Sequence, residues 1–438
     1  MSTLSKILIS ISVAVVVIFI LFVVVPEYHH EFFTSERSAQ KVYFADHISP
    51  AHEAVIRRFN ELHQGKIEIV PVNLPFSKFS TNERKELLAR SLRSKSDRLD
   101  IFSVDYIWTQ RFAKWSEPLD SYFSDQDKSV ILSPTLQSCT GNGSLVAMPL
   151  YIDIGMMYYR KDLLASLPHP EKEEEIIQHS MTWNEMFALR KRLGMEQQPF
   201  YLYQANDYEG LVCNYFEMIA SLDSTFFTHN TIDLQKPAAK KALQILVDFV
   251  YKYKISPPEV TAFDENKSYD YLLNHNVMFV RGWPNFVESY LKRGYDSSKF
   301  INIRRAPLPH FEGEMPTSVY GGWNLMVSQF STKKSAAIEF IRFLQTKEAQ
   351  EILFDLGGYI PVNRFVYEDT TFVRTHPYLL FYRKLVERGF HRPFLEDYTR
   401  ISDIIAHFVH RAIKKEISVE TALQEASTMI ANKQVLIK

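Results

Sequence analysis

Cysteine is almost missing from this chain: Cys139 and Cys213 are the only two in 438 residues. No disulfide framework can be built from them. One bridge is open to them in an oxidising compartment, and burial as two unpaired, small apolar side chains is at least an equal alternative. An excess of either charge is also lacking, with 50 Lys and Arg against 51 Asp and Glu. Nucleic-acid binding calls for a basic face, so no nucleic-acid partner is expected. There is no zinc-ligand spacing, no phosphate-cradling glycine loop and no nucleophile–base pair with supporting context. His29-His30 is an isolated pair in a polar stretch and points to no metal. No cofactor is expected, and neither repeats nor low-complexity tracts occur.

What is present is length for two or three domains, a 46% hydrophobic content ample for ordinary cores, and 14% aromatic residues, with 23 Tyr, 32 Phe and 5 Trp. Most aromatics must be core. A few in a cleft would suit a sugar, whose C–H faces stack on rings.

The N-terminus carries one uncharged apolar run, Ile7 to Val25, 19 residues broken only by Ser10 and Ser12. As a helix it spans about 28 Å, close to the hydrocarbon thickness of a bilayer. A cleavable signal has a shorter apolar core and small residues before the cut; here Phe22-Val-Val-Val-Pro-Glu-Tyr28 is bulky. No cysteine lies nearby for lipidation. An uncleaved transmembrane anchor over residues 1–26 is the expectation, with an atypical cleaved signal as the alternative. Lys6 inside and Glu27 outside place the body outside the cytoplasm, on a polar tether over 27–40.

Beyond the tether, Lys41–Ala45 reads as a strand. Ser49-Pro50 opens a helix with Ala54, Val55, Ile56 and Phe59 at helical spacing. Lys66–Val70 is a strand, Asn82–Arg93 a helix and Leu99–Val104 a buried strand ending at Asp105-Tyr-Ile-Trp108. Alternation of this kind builds an open, mostly parallel α/β sheet, and ligands bind beyond the carboxyl ends of its strands. After Asp162 the chain is mainly helical. Thr182-Trp-Asn-Glu185 is a capping box, Ala238–Tyr253 and Ser335–Leu344 carry helical periodicity, and Gly321–Val327 begins a short strand.

Several motifs then occur in a fixed order. Asp100-Ile-Phe-Ser-Val-Asp-Tyr-Ile-Trp108 comes first. Pro149-Leu-Tyr-Ile-Asp153 follows, inside the apolar stretch Gly143–Leu164. Thr182–Glu185, Asp207-Tyr-Glu-Gly-Leu-Val-Cys213, Asn276–Trp283, Ala306–His310, Gly321-Gly-Trp323 and Arg392-Pro393 complete the series. In this order and spacing they resemble the extracellular solute-binding proteins of ABC sugar importers (family 1), and most closely the trehalose/maltose-binding branch. The likeness covers roughly residues 41–430.

The resemblance implies an α/β, two-lobed periplasmic-binding-protein-like fold of type II, here preceded by one N-terminal transmembrane helix. Three hinge crossings would lie near 149–152, 305–309 and 357–361. The first lobe would take 41–149 plus 308–357 and the second 150–307 plus 358–438, with a sugar between them and closure by hinge motion.

Each candidate site residue has two readings. Asp105 is either a sugar ligand, accepting paired hydrogen bonds from adjacent hydroxyls, or an N-cap. Tyr151 and Asp153, two apart on an extended segment, point to one side, toward a ligand or as a hinge carboxylate held by amides. Trp323 follows Gly321 and Gly322, which allow a close approach of ligand to backbone, and its indole offers a flat face and one N–H; the alternative is a buried core tryptophan. Trp283 follows Gly282 in the same way. Trp108 is a weaker candidate, Trp115 is expected in the core, and Trp183 is expected to be packing. Arg392 offers a rigid fork of donors or a surface ion pair. Glu209, beside Tyr208, either lines the cleft or caps a helix. The resemblance implies that Arg84 matches a cleft arginine of that family in register, yet it lies on a charged helix face where solvation is the default. The loop Asp46–Glu53 is shorter than in the branch it resembles, which places a ligand glutamate there, so Glu53 fills that role or nothing does.

The expected function is therefore sugar binding without chemistry on the sugar, for delivery to ABC permease subunits in the membrane. A membrane-tethered sensor component has the same pocket and a different output. A glycosidase would need two carboxylates about 5–10 Å apart across one bond; Asp105 and Asp153 qualify by residue type alone, and the resembled family is not enzymatic.

Overall fold

The computed structural model describes residues 39–436, apart from 76, 77, 79, 80, 97 and 142. The Ile7–Val25 run, His29-His30 and nearly all of the tether lie outside the described residues. Among those described, no helix is long and apolar enough to cross a membrane.

Among the described residues twelve strands appear in chain order: β1 Gln40–Asp46, β2 Ile67–Asn73, β3 Ile101–Asp105, β4 Thr140–Gly141, β5 Ser144–Leu145, β6 Met148–Ile154, β7 Met156–Arg160, β8 Tyr201–Leu202, β9 Phe279–Gly282, β10 Ile303–Ala306, β11 Ser318–Val327 and β12 Gly389–Phe390. They form two main sheets, one per lobe. The first has the order β12-β11-β3-β1-β2, with β6 on the other flank of β11. β1, β2 and β3 are parallel, linked by the helices Pro50–Leu62 and Thr81–Arg93, as the alternating pattern predicts. β11 is antiparallel to both β3 and β6. It has neighbours on both edges and layers on both faces, and every one of its ten residues is buried. The second sheet has the order β10-β7-β9-β8. Helices Glu209–Leu222, Pro237–Tyr251, Tyr398–Ile413 and Val419–Ala431 pack together beside it.

The two caps read from the sequence are made. Ser49 caps Pro50–Leu62, with the His52 side chain completing the box. Thr182 Oγ1 accepts from the Glu185 amide at 3.1 Å while Glu185 accepts from the Thr182 amide at 2.7 Å.

The passages between sheets fall later in the chain than 149–152, 305–309 and 357–361. β6 stays in the first sheet to Ile154 and β7 enters the second at Met156, so the chain passes over at Gly155. Pro149 does not end β6, because a register irregularity between Trp323 and Asn324 falls opposite it and absorbs the missing donor. After β10, Leu308 and His310 are still held by the second lobe, through Ser180 and a bridge to Thr182. Residues 360–364 stay with the first lobe: Ile360 bridges Ile152, and Val362 and Arg364 bond Leu132 and Val130. Cys139 and Cys213 are both free and buried, which resolves their two readings in favour of unpaired apolar packing.

Candidate functional site

β3, β11 and β6 lie side by side, and their register gathers the candidates. Trp323 is opposite Asp105 on one side and Tyr151 on the other, while Gly321 is opposite Asp153. Residues far apart in sequence thus meet at one end of the first sheet. Gly322 sits at φ +125°, and a Cβ there would come 2.5 Å from the Tyr151 carbonyl oxygen. The close approach that these glycines permit is made by protein: Gly322 meets the β6 backbone, and Gly321 meets the edge of the Trp283 ring.

Trp323 is 7% exposed, with the Arg84 guanidinium 4.2 Å from its ring centroid. Arg84 is buried rather than solvated, and its Nη2 donates to Asp46 Oδ1 at 2.8 Å. His52 Nε2 stands 3.5 Å from the other Asp46 oxygen. Burial raises the Asp46 pKa, but His52 and Arg84 outweigh it and draw the carboxyl down to about 2. Asp46 ends β1 as Asp105 ends β3. The same strand-end logic would have found it. Glu53, the residue weighed for this loop, is exposed on the following helix.

Tyr151 packs on Tyr359, with ring centroids 4.4 Å apart and planes 31° apart. Asp153 is half-buried, and its Oδ1 is fully buried with no hydrogen-bond partner among the described residues. Burial, with Asp105 nearby, raises its pKa to about 7.

Arg392 is 1% exposed and joins three elements. Its Nη1 donates to Glu209 Oε1 at 2.5 Å and its Nη2 to Asp105 Oδ1 at 3.3 Å. Tyr398 donates its hydroxyl to the same Glu209 oxygen at 2.7 Å. Arg392 is thus an ion pair, but a buried one that ties the second lobe's helix Glu209–Leu222 to the end of β3. The Glu209 carboxylate binds Arg392 and Tyr398 and makes no side-chain cap on its helix. Asp105 does cap, accepting from the Ile107 amide at 3.1 Å, so it serves the cap and the ion pair together. Burial raises its pKa, opposed by the Arg392 charge.

Trp283 comes from the second lobe. Its Nε1 donates to Glu265 at 3.2 Å, and its amide donates to the Tyr269 hydroxyl at 2.9 Å. The Arg281 guanidinium lies 4.0 Å from its ring centroid. Trp108 is buried in the first lobe, with Lys85 Nζ 5.1 Å from its ring. Trp115 packs edge-on against Phe112. Trp183 is buried and packs against Tyr201, Phe249 and Phe311.

Arg84, Asp105, Tyr151, Asp153, Glu209, Trp283, Gly322, Trp323 and Arg392 therefore converge where the two lobes meet. Asp46, His52, Glu217, Arg281, Tyr359 and Tyr398 are the supporting members that sequence reasoning missed. The arrangement can offer flat ring faces beside carboxylates and guanidiniums whose charges are largely matched. That suits a polar, uncharged ligand held by stacking and hydroxyl hydrogen bonds. No group of three or more metal-ligating side chains exists among the described residues.

The family profile of bacterial extracellular solute-binding proteins matches residues 54–377. The chain belongs to that family. Its members bind solutes outside the cytoplasm and are not enzymes, in agreement with the non-catalytic reading of the sequence. A probable ABC transporter-binding protein of Deinococcus radiodurans is 24% identical over 80% of this chain and 84% of its own length. A putative binding protein of Brucella abortus is 21% identical over 86% and 88%. Among solved structures, maltose-bound T. maritima MalE3 superposes with a TM-score of 0.79 at 27% identity, covering 90% of this chain and all of that one. The GacH receptor of Streptomyces glaucescens, solved without ligand and with acarbose, gives 0.75 at 19% over 90% and 98%. The latter likeness is one of fold. Both support the two-lobed α/β architecture of solute-binding proteins.

Proposed function

We propose that the protein binds a neutral di- or oligosaccharide of the trehalose or maltose kind and delivers it to the permease subunits of an ABC importer. One observation carries this reading: Trp323 is flanked in register by Asp105 and Tyr151, and Trp283 of the other lobe abuts the adjoining Gly321. Ring faces and hydroxyl acceptors on both sides of one interface are what a pyranose requires. The resemblance to MalE3, which was solved with maltose, supports the sugar class. In this reading Arg84, Asp105, Trp108, Tyr151, Asp153, Glu209, Trp283, Gly322, Trp323 and Arg392 form the binding surface, and closure of the lobes brings them together. The apolar run Ile7–Val25 holds the body at the outer face of the membrane as a single-pass anchor.

Titration calorimetry against maltose, trehalose, sucrose and related glucosides tests the proposal, with at least one micromolar or tighter binder expected. Silence across the sugars together with a hit among amino acids or polyamines refutes it. Mass spectrometry of the mature protein tests the anchor: an N-terminus between residues 26 and 40 would show that the run is removed.

A further inference from the structure

A fully buried ion pair stands just behind the gathered residues. Arg281 on β9 is 0% exposed and Glu217 on the helix Glu209–Leu222 is 6% exposed. They bind through two bonds, Nε to Oε2 at 3.1 Å and Nη2 to Oε1 at 2.8 Å. Burial of two charges is costly and is tolerated only with good geometry. Hydrophobic residues of like volume would serve a core as well, so the pair invites a functional explanation.

Its surroundings supply one. On one side the pair presses on the passage between lobes. A Cβ on Gly155 would fall 1.9 Å from Glu217 Oε1 and 2.9 Å from Arg281 Nη2. The Gly155 amide donates to Val319 O at 3.0 Å, and the Val319 amide in turn points to Glu217 Oε1 at 3.4 Å. Glu217, a second-lobe residue, thus touches both β11 and the β6–β7 junction. On the other side the Arg281 guanidinium covers one face of Trp283 at 4.0 Å. The far edge of that ring meets Gly321 in the first lobe, at 3.0 Å from the position of a Cβ. A continuous line of contacts therefore runs from the passage at Gly155, through Glu217 and Arg281, to Trp283 and back to the first lobe at Gly321.

We infer that the Glu217–Arg281 pair is a positioning element: it fixes the ring of Trp283 against Gly321 and couples that ring to the strand passage at Gly155 and Val319. Its action on sugar binding rests on the sugar-binding reading above, whereas its action on the passage does not.

The test uses Arg281→Lys, which keeps the charge opposite Glu217 but has neither the planar fork nor the flat cation over the ring. Should that variant fail to fold, Glu217→Gln with Arg281→Met removes both charges together at similar volume. Hydrogen exchange without ligand is the first arm. The Gly155 and Val319 amides should exchange about tenfold faster in either folded variant, with the Tyr201 amide, bonded to Ile255 O at 2.9 Å, unchanged. Wild-type exchange at Gly155 and Val319 would overturn the inference. The second arm is calorimetry with maltose and trehalose. Trp283→Phe should cost about fivefold less affinity in the Arg281→Lys background than in the wild type, and strictly additive costs would overturn the positioning role. If the wild-type protein binds no sugar, the sugar-binding reading fails and the exchange arm alone decides the inference.

Discussion

Gly321 and Gly322 are adjacent on β11, yet alanine should affect them in different ways. Gly322→Ala acts on the folded first lobe. The position has φ +125°, which costs an L-residue roughly 1–2 kcal/mol. The new Cβ would also lie 2.5 Å from Tyr151 O, 3.0 Å from Ile152 Cα and 3.2 Å from Asp153 N. All three are backbone atoms, so no side chain can swing away. Carbon–oxygen contacts normally begin near about 3.3 Å, so β6 and β11 must part by about 0.8 Å or distort, a strain in the range of about 1–3 kcal/mol. The sum, about 2–5 kcal/mol, corresponds to a melting-temperature loss on the order of 10 °C for a lobe of this size.

Gly321→Ala meets a different obstacle. Its nearest neighbours would be Trp283 Cζ3 at 3.0 Å and Cη2 at 3.2 Å, with Asp153 Cβ at 3.2 Å. Trp283 belongs to the other lobe and is held by Tyr269, Glu265 and Arg281. The methyl therefore opposes closure rather than folding. A displacement of a few tenths of an ångström against a fixed ring costs about 1 kcal/mol, or roughly fivefold in Kd, with little change in melting temperature. Thermal melts and calorimetry with the best sugar of the panel read both quantities. Gly322→Ala melting like the wild type would refute the close strand approach. Equal melting losses from both variants would show that the Gly321–Trp283 contact does not depend on closure.

Local elements were legible in the sequence because their causes are local. The β1-to-β3 alternation follows from hydrophobic periodicity, and the caps at Ser49 and Thr182 follow from side chains a turn away. Placing Asp105 at the end of a buried strand needed no more than its apolar run. What was not legible depends on pairs distant in sequence. Arg84 reads as a solvated helix charge until Asp46, 38 positions earlier, is seen to accept from it. Arg281 has no visible role until Glu217, 64 positions away, binds it. The passages between lobes depend on distant partners too. β6 runs through Pro149 to Ile154, with its register shift at Leu150 beside the proline. Leu308 and His310 stay with the second lobe because Ser180 and Thr182, far back in the sequence, hold them there. The glycines before Trp323 read as room for a ligand, whereas the groups that come close to them are the β6 backbone and the edge of the Trp283 ring.

Three further outcomes are expected. Trp323→Ala should cost on the order of 2 kcal/mol in sugar binding, roughly thirtyfold in Kd, while Trp183→Phe, in the core, should leave Kd within about twofold; equal losses would mark both as general destabilisation. Arg392→Met should lower stability to urea by about 3–5 kcal/mol, because Glu209 stays buried with only the Tyr398 hydroxyl, and adding Glu209→Gln should recover part of the loss; no recovery would show that the buried charge is not the cause. The last concerns pH. Burial and Asp105 raise the Asp153 pKa to about 7 from an ordinary 3.8. Between about pH 4 and pH 7 the folded protein therefore keeps a proton that the unfolded chain has released, and this group's contribution to stability falls as pH rises through that window. The raised Asp105 pKa acts in the same direction. Burial lowers His47 and His391 to about 4, so each binds fewer protons when folded and contributes a rise with pH over the same range. The wild-type curve alone mixes these opposing slopes, and the comparison with Asp153→Asn separates them. Asn keeps the shape without titrating, so the stability of the variant relative to wild type should climb steadily from about pH 4 to pH 7 and level off above. Chemical denaturation at a series of pH values reads the difference, and parallel curves would show that Asp153 is ionised in the folded protein like any exposed carboxylate.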